Sequence, residues 1–310
     1  MRYRCLPDGE AAVRDSRKTI HLQGADMTIA VTGATGQLGR LVVESLIARG
    51  TEPGEIVAVV RDTAKADGLR ALGVEVREGD YDRPETLTAA LTGVHRLLLI
   101  SGNAVGQRVA QHTAVIEAAR AAGVGFLAYT SILRADTTPI GLAPEHQATE
   151  EKIKNSGIPY AFLRNGWYVE NYAGALAGAV AQGTLYGSAG DGKIAAATRA
   201  DFAEAAAVVL INGEPGVYEL AGDHGFTLAE LAAETARQSG SPIAYQNLPV
   251  ADYTQALVGA GLPEGYAGLL ADTDTKIAEG HLDDSTGTLS RLIGRPTTPL
   301  ADALAAILKG

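Results

Sequence analysis

Three glycines at a spacing of three, Gly33, Gly36 and Gly39 in IAVTGATGQLGR, stand between a short apolar run and a stretch with helical spacing. The chemistry open to such a turn is anion binding. The first amides of a helix have no partners within it, and glycine lets a phosphate approach them closely. Leu38, Leu41, Val42, Leu46 and Ile47 fall on one helical face, and Thr28–Val31 reads as the strand before them. A strand, a glycine turn and a helix form the setting in which a dinucleotide pyrophosphate rests. Gly33, Ala34, Thr35, Gly36, Gln37 and Leu38 are therefore the first candidate cofactor contacts. The pattern is GxxGxxG rather than GxGxxG, so the loop differs in shape from that of the commonest dehydrogenases.

A second position selects the cofactor. The next strand, EIVAVV, ends at Arg61. A carboxylate there would accept from a ribose 2′-hydroxyl, whereas a guanidinium pairs with a 2′-phosphate. With Lys65 nearby, the expected cofactor is NADPH. Asp62 keeps NADH open, since it could serve a 2′-hydroxyl. Asp80, in Gly79–Asp80–Tyr81, has two readings: an acceptor for the adenine amino group, with Tyr81 beside the ring, or a plain turn. Gly102, Asn103 and Ala104, after the run LLLIS, either let the backbone approach the nicotinamide end or form a simple turn.

The proton donor is harder to place. Common short-chain dehydrogenases use Tyr and Lys at a spacing of four, and none of the eleven tyrosines has a lysine four residues later. Ser131 stands where the serine of such a triad would, but the downstream helix offers His146 and Glu150 instead. A carboxylate raises the pKa of its neighbour, the opposite of what lysine does. Hydride delivery to a simple ketone builds an alkoxide that needs a strong donor. A quinone needs less, because its reduced oxygen is a phenolate. The missing pair fits an easily reduced acceptor, and fits equally a dinucleotide sensor that does no chemistry. The candidate donors are His146, otherwise a surface or cap residue, and Tyr168. LRNGWYVENY at 163–172 places Trp167 and Tyr168 beside Asn165; they form either an apolar wall for a flat ring or packing at a hinge.

These residues need a scaffold of parallel strands. Strands are expected at Thr28–Thr32, Glu55–Val60, Val74–Arg77, Arg96–Ser101, Gly125–Thr130, Ile158–Leu163 and Val217–Ala221. Helices are expected at 63–72, 84–91, 105–122, 145–155, 169–182, 201–211, 228–238, 251–260 and 299–308. Alternation of this kind predicts an α/β fold with a doubly wound parallel sheet. Residues 27–165 and 200–223 form its dinucleotide-binding domain, and 166–199 with 224–310 a smaller, mainly helical substrate lobe over the carboxyl ends of the strands.

Bulk properties narrow the class. The chain has 310 residues, 46% of them hydrophobic, and a net charge of −10. An acidic surface argues against nucleic acid, and no apolar run is long enough to span a bilayer. The single cysteine, Cys5, excludes an internal disulfide framework, and no histidine pattern signals a metal. Residues 1–26 are polar with no apolar core, so no signal peptide is expected. They read as an upstream start, a non-native extension or a disordered tail.

Together, TGATGQLG, VAVVR, LLLISG, AYTSIL, ADTTPIGLA, LRNGWY, VYELAGD and LIGRPTT resemble the NmrA-like branch of the atypical short-chain dehydrogenase/reductase superfamily, and within it the bacterial type 2 NADPH:quinone oxidoreductases. The resemblance runs from Met27 to about Leu308. It implies a Rossmann fold and NADPH held by Gly33–Leu38, Arg61, Gly102–Ala104 and Asn165, Gly166, Trp167, Tyr168, Val169 and Glu170. It also implies two-electron reduction of a small quinone in the cytoplasm, without metal or flavin. A homodimer remains a further option. Triphenylmethane dye reductases are a sister group, but have LRNALY where this chain has LRNGWY. A dye or enone reductase and a non-catalytic NADP(H) sensor are the alternatives.

Overall fold

The computed structural model describes residues 27–284 and 286–309; the expectation for residues 1–26 lies outside this range. The strands are β1 (Ile29–Thr32), β2 (Ile56–Val60), β3 (Glu75–Glu78), β4 (Arg96–Leu99), β5 (Phe126–Ile132), β6 (Tyr160–Asn165), β7 (Thr184–Gly187), β8 (Gly216–Leu220) and β9 (Ala244–Asn247). The first six helices are α1 (Gln37–Ala48), α2 (Asp67–Arg70), α3 (Pro84–Ala90), α4 (Arg108–Ala121), α5 (Ala143–Ser156) and α6 (Ala173–Gln182). The other six are α7 (Arg199–Asn212), α8 (Leu228–Ser239), α9 (Val250–Gly259), α10 (Glu264–Ala278), α11 (Thr288–Ile293) and α12 (Leu300–Ile307).

Seven strands make one parallel sheet in the order β3-β2-β1-β4-β5-β6-β8. The chain winds outward from β1 on one side and from β4 on the other, which opens a crevice at their carboxyl ends. β1, β2 and β5 are buried along their whole length, as a sheet covered on both faces demands. One face packs Val31, Val42, Phe202, Leu210 and Ile293 from β1, α1, α7 and α11. The other packs Leu87, Val115, Ile153 and Phe162 from α3, α4, α5 and β6. A third cluster, with Leu176, Leu185, Ile194, Leu231, Ile277 and Leu304, joins α6, α8, α10 and α12 around the small parallel pair β7–β9.

Several boundaries differ from expectation. β5 and β6 each continue two residues further, because they pair to their ends at Ile132 and Asn165. The helix expected at 63–72 is a 3-10 turn, Thr63–Lys65, followed by α2; Asp62 caps that turn by accepting from the Ala64 amide at 3.0 Å. The helix expected at 169–182 likewise opens with a 3-10 turn, Val169–Tyr172. β7, β9, α10 and α11 have no expected counterpart. No helix among the described residues is long and apolar enough to cross a membrane.

Candidate functional site

The glycine turn follows β1. Gly33 has φ +58°, a left-handed conformation that side chains disfavour. Gly36 is the N-cap of α1; no side chain caps this end, and its first turn holds no acidic residue. The unpartnered amides and the positive end of the helix dipole are left for an anion. Gly39 brings helix and turn together: a Cβ there would lie 2.3 Å from the Gly33 carbonyl oxygen and 2.8 Å from Ala34 Cα.

A cavity of about 540 Å³ opens beside this turn, at the carboxyl ends of β1 to β4. Gly33, Thr35, Gly36, Arg61, Asp80, Gly102, Asn103 and Ala104 all line it, as do Asp62, Lys65, Tyr81, Gln107 and Gln111. Arg61 is exposed and has no hydrogen-bond or ion-pair partner among the described residues. Asp62 is committed elsewhere: besides capping its turn it lies 3.6 Å from Lys65 Nζ. The end of β2 therefore offers a free guanidinium and an engaged carboxylate, a donor set for a phosphate rather than a ribose hydroxyl. A dinucleotide with a 2′-phosphate fits the uncapped helix start and this free cation together.

Asp80 is a turn residue. Its Oδ1 accepts from the Asp82 amide at 3.1 Å, its Oδ2 lies 3.4 Å from Arg83 Nε, and it still borders the cavity. The Tyr81 hydroxyl lies 2.9 Å from the Ile100 carbonyl oxygen and 2.5 Å from Thr32 Oγ1, so it ties the ends of β1 and β4 beneath the cavity. Burial raises this phenol above its ordinary range.

The remaining expected contacts lie apart from this cavity. Ala34 and Leu38 are buried in the sheet cluster. Gln37 and Glu170 border a neighbouring open groove of about 610 Å³, with Arg40 and Arg199. Thr35 and Gly36 form the rim that the two spaces share. Glu170 accepts from the Arg199 amide at 2.9 Å, at the start of α7. Asn165 is buried; its amide nitrogen donates to the Tyr168 hydroxyl at 3.3 Å, and its Oδ1 has no partner among the described residues. The Gly166 amide donates to the Leu220 carbonyl at 2.7 Å. Val169 lines a separate cavity of about 570 Å³ between α8 and α12.

Trp167 and Tyr168 face opposite ways. Trp167 packs on the third cluster, and Tyr168 on the sheet cluster, edge-on to Phe202 with ring centroids 5.2 Å apart. The Arg199 guanidinium lies over the Tyr168 ring at 4.5 Å, a cation–π contact. Burial raises the Tyr168 phenol above its usual range.

The expected acid position is closed. His146 is 5% exposed, and its Nδ1 lies 2.8 Å from the Tyr129 hydroxyl. Burial, then Arg108 and His112, lower it to about 3, so the ring is neutral. Ser131 donates to Glu150 at 2.7 Å, and Arg164 grips the same carboxylate through Nε and Nη2 at 2.9 and 2.8 Å. Arg164 Nη1 also meets Glu219 at 2.8 Å and Asp136 at 3.0 Å. Sequence reasoning missed this guanidinium; the signal was a charged residue inside the apolar strand AFLRN. It also missed Gln107, Gln111 and His112 at the start of α4, where Gln111 donates to Asp82 in the loop after β3 and His112 meets Thr149 on α5.

A model of the NmrA-like family matches residues 25–288. Quinone oxidoreductase 2 of Escherichia coli (strain K12) is 55% identical over 278 residues, covering 89% of this chain and 97% of that protein. The crystal structure of the NADPH-dependent quinone oxidoreductase of E. coli complexed with NADPH superposes with a TM-score of 0.87 at 53% identity, over 91% of this chain and 100% of that one. The triphenylmethane reductase of Citrobacter sp. gives a TM-score of 0.85 at 37% identity, over 92% of this chain and 100% of that one. The span matched by the family model takes in the glycine turn and the residues that line the crevice, and the chain belongs to the NmrA-like family.

Proposed function

We infer that this chain is an NADPH-dependent quinone oxidoreductase that reduces quinones to hydroquinones with two electrons. The observation that carries this reading is the similarity to the E. coli quinone oxidoreductase along almost the whole chain. The uncapped α1 and the free Arg61 on one cavity support the choice of cofactor. When bound, NADPH would supply a hydride, carrying both electrons and one hydrogen, and solvent would supply the single proton that completes the hydroquinone. The glycine turn binds the pyrophosphate, and Arg61 with Lys65 takes the 2′-phosphate.

Ser131, His146 and Glu150 are each tied to a structural partner, and His146 is held neutral. No acid of the Tyr–Lys kind stands ready, which supports an acceptor whose reduced oxygen needs little protonation. The quinone is placed in the cleft between the sheet, formed by 27–165 and 200–223, and the lobe of 166–199 and 224–310. That lobe rests on the third cluster, while α11 returns to the sheet through Leu289 and Ile293. Asn165, Trp167 and Glu170 border this cleft in the proposal. A cytoplasmic location and a homodimer belong to the same reading.

NADPH oxidation measured with benzoquinone, an enone and a triphenylmethane dye tests it. Turnover with benzoquinone well above the other two is expected. Preferential turnover of the dye, or NADPH binding without any turnover, would replace it with a dye reductase or a sensor.

A further inference from the structure

The loop after β4, residues 101–107, is held from behind by α4 and α5. The Gly102 amide donates to His112 Nε2 at 3.0 Å, and Arg108 Nε donates to the Gly102 carbonyl at 2.6 Å. The Gly106 amide donates to Glu145 Oε1 at 2.9 Å. Within the loop, the Val105 and Gln107 amides donate to the Asn103 and Ala104 carbonyls. The amides of Asn103 and Ala104 have no partner among the described residues, and both residues line the dinucleotide cavity.

We propose that His112 is a positioning residue for cofactor binding: it fixes the Gly102 peptide and so presents the Asn103 and Ala104 amides to the bound dinucleotide. This rests on the reading of the cavity as an NADPH site. His112 is fully buried. Its Nε2 faces an amide N–H and must be an acceptor, so the ring proton is on Nδ1. That nitrogen lies 3.0 Å from Thr149 Oγ1, and the Thr149 hydroxyl donates to the Glu145 carbonyl at 2.8 Å. Donation therefore runs from the Gly102 amide through His112 to Thr149 and on to the Glu145 carbonyl, and the tautomer follows from the network. Tyr129 and Tyr81 meet the ring edge-on at 5.5 and 6.2 Å and leave it one orientation. Burial, with Arg108 beside it, lowers His112 to about 4, which keeps Nε2 bare at neutral pH.

The test compares His112→Leu, His112→Asn and His112→Gln with the wild-type chain. NADPH affinity is measured by fluorescence titration, together with the KM values for NADPH and benzoquinone, kcat and the melting temperature. Leucine leaves the Gly102 amide without its acceptor, and asparagine is too short to reach it, so both should weaken NADPH about tenfold. The benzoquinone KM and kcat at saturating NADPH should change less than twofold. Glutamine can place its amide oxygen near Nε2 and should recover most of the affinity. Equal losses in all three variants, or wild-type affinity in His112→Leu, would overturn the proposal. Failure of the wild-type chain itself to bind NADPH would instead remove the cofactor reading beneath it. Should His112→Leu not fold, the contrast between asparagine and glutamine still decides the matter.

Discussion

Arg61 directly follows β2 with its guanidinium free, while the neighbouring carboxylate of Asp62 is spent on a cap. On the proposed reading, discrimination between the two nicotinamide cofactors falls on this one side chain. A charge-assisted bond to phosphate contributes about 1.5–3 kcal/mol, so Arg61→Ala should weaken NADPH roughly tenfold or more and leave NADH nearly unchanged. Comparing the two dissociation constants checks this, and equal losses would release Arg61 from the role. The acid side is equally specific. His146→Ala and Tyr168→Phe should each lower kcat on benzoquinone by about tenfold at most, short of the 10²–10⁴-fold that a general acid supplies. The kcat profile should be shallow between pH 6 and 8, since His146 and His112 titrate at about 3 and 4, below that window. A thousandfold loss with a histidine-like step would make His146 the donor after all. The position of Arg61 beside the cavity was legible in the sequence because it depends on a local place, the end of a strand. The partner of His146 was not legible, because Tyr129 approaches it from β5 across a different element.

At the scale of elements, the β1–α1 unit depends on contact between backbones. Gly39 has no room for a methyl group, since the atoms in its way are the main chain of Gly33 and Ala34 and cannot rotate aside. Gly39→Ala should destabilise the fold by about 1–3 kcal/mol and lower NADPH affinity, as overpacking shifts the turn from the helix. Denaturant unfolding and a cofactor titration on the same variant check both effects. Wild-type stability would mean that α1 can slide. The central strands and their helices were readable because parallel strands are apolar throughout and their helices carry one apolar face. β7 and β9 were not, because TLYG and AYQN are short and half polar, and each exists by pairing with a segment about sixty residues away. α10 escaped for a related reason. Its buried positions include Thr273 and Asp274, which blur the apolar stripe.

The whole molecule carries a signature of its buried titratable groups. His112 and His146 are lowered by burial from 6.5 to about 4 and about 3. As pH falls below 6.5 the unfolded chain takes up protons that the folded chain refuses, so each histidine costs stability, by up to about 1.4 kcal/mol per pH unit. Asp274 acts the other way. Burial raises it to about 6 from 3.8, so between these values the folded chain holds the extra proton and gains stability on acidification. Two losses against one gain leave a net slope of about 1.4 kcal/mol per unit between roughly pH 6 and 4 from these three groups. His146→Phe should flatten the measured dependence of unfolding free energy on pH across that range. An unchanged slope would show that His146 accepts a proton in the folded state.

The opposed side chains of Trp167 and Tyr168 have an optical consequence. Trp167 is the chain's only tryptophan, and its indole packs on the third cluster, while the next side chain packs on the sheet cluster. Intrinsic tryptophan emission therefore watches the third cluster alone, and far-ultraviolet circular dichroism watches the entire backbone. The two regions are stitched by the Ala197 amide donating to the Trp167 carbonyl, by the Val169 amide donating back to Ala197, and by the Gly222 amide donating to Ala195. With that seam intact, the red shift of the indole and the loss of ellipticity should fall on one denaturation curve. A spectral shift that runs ahead of the ellipticity would mark the third cluster as a separately melting unit, with a single native residue as its dye.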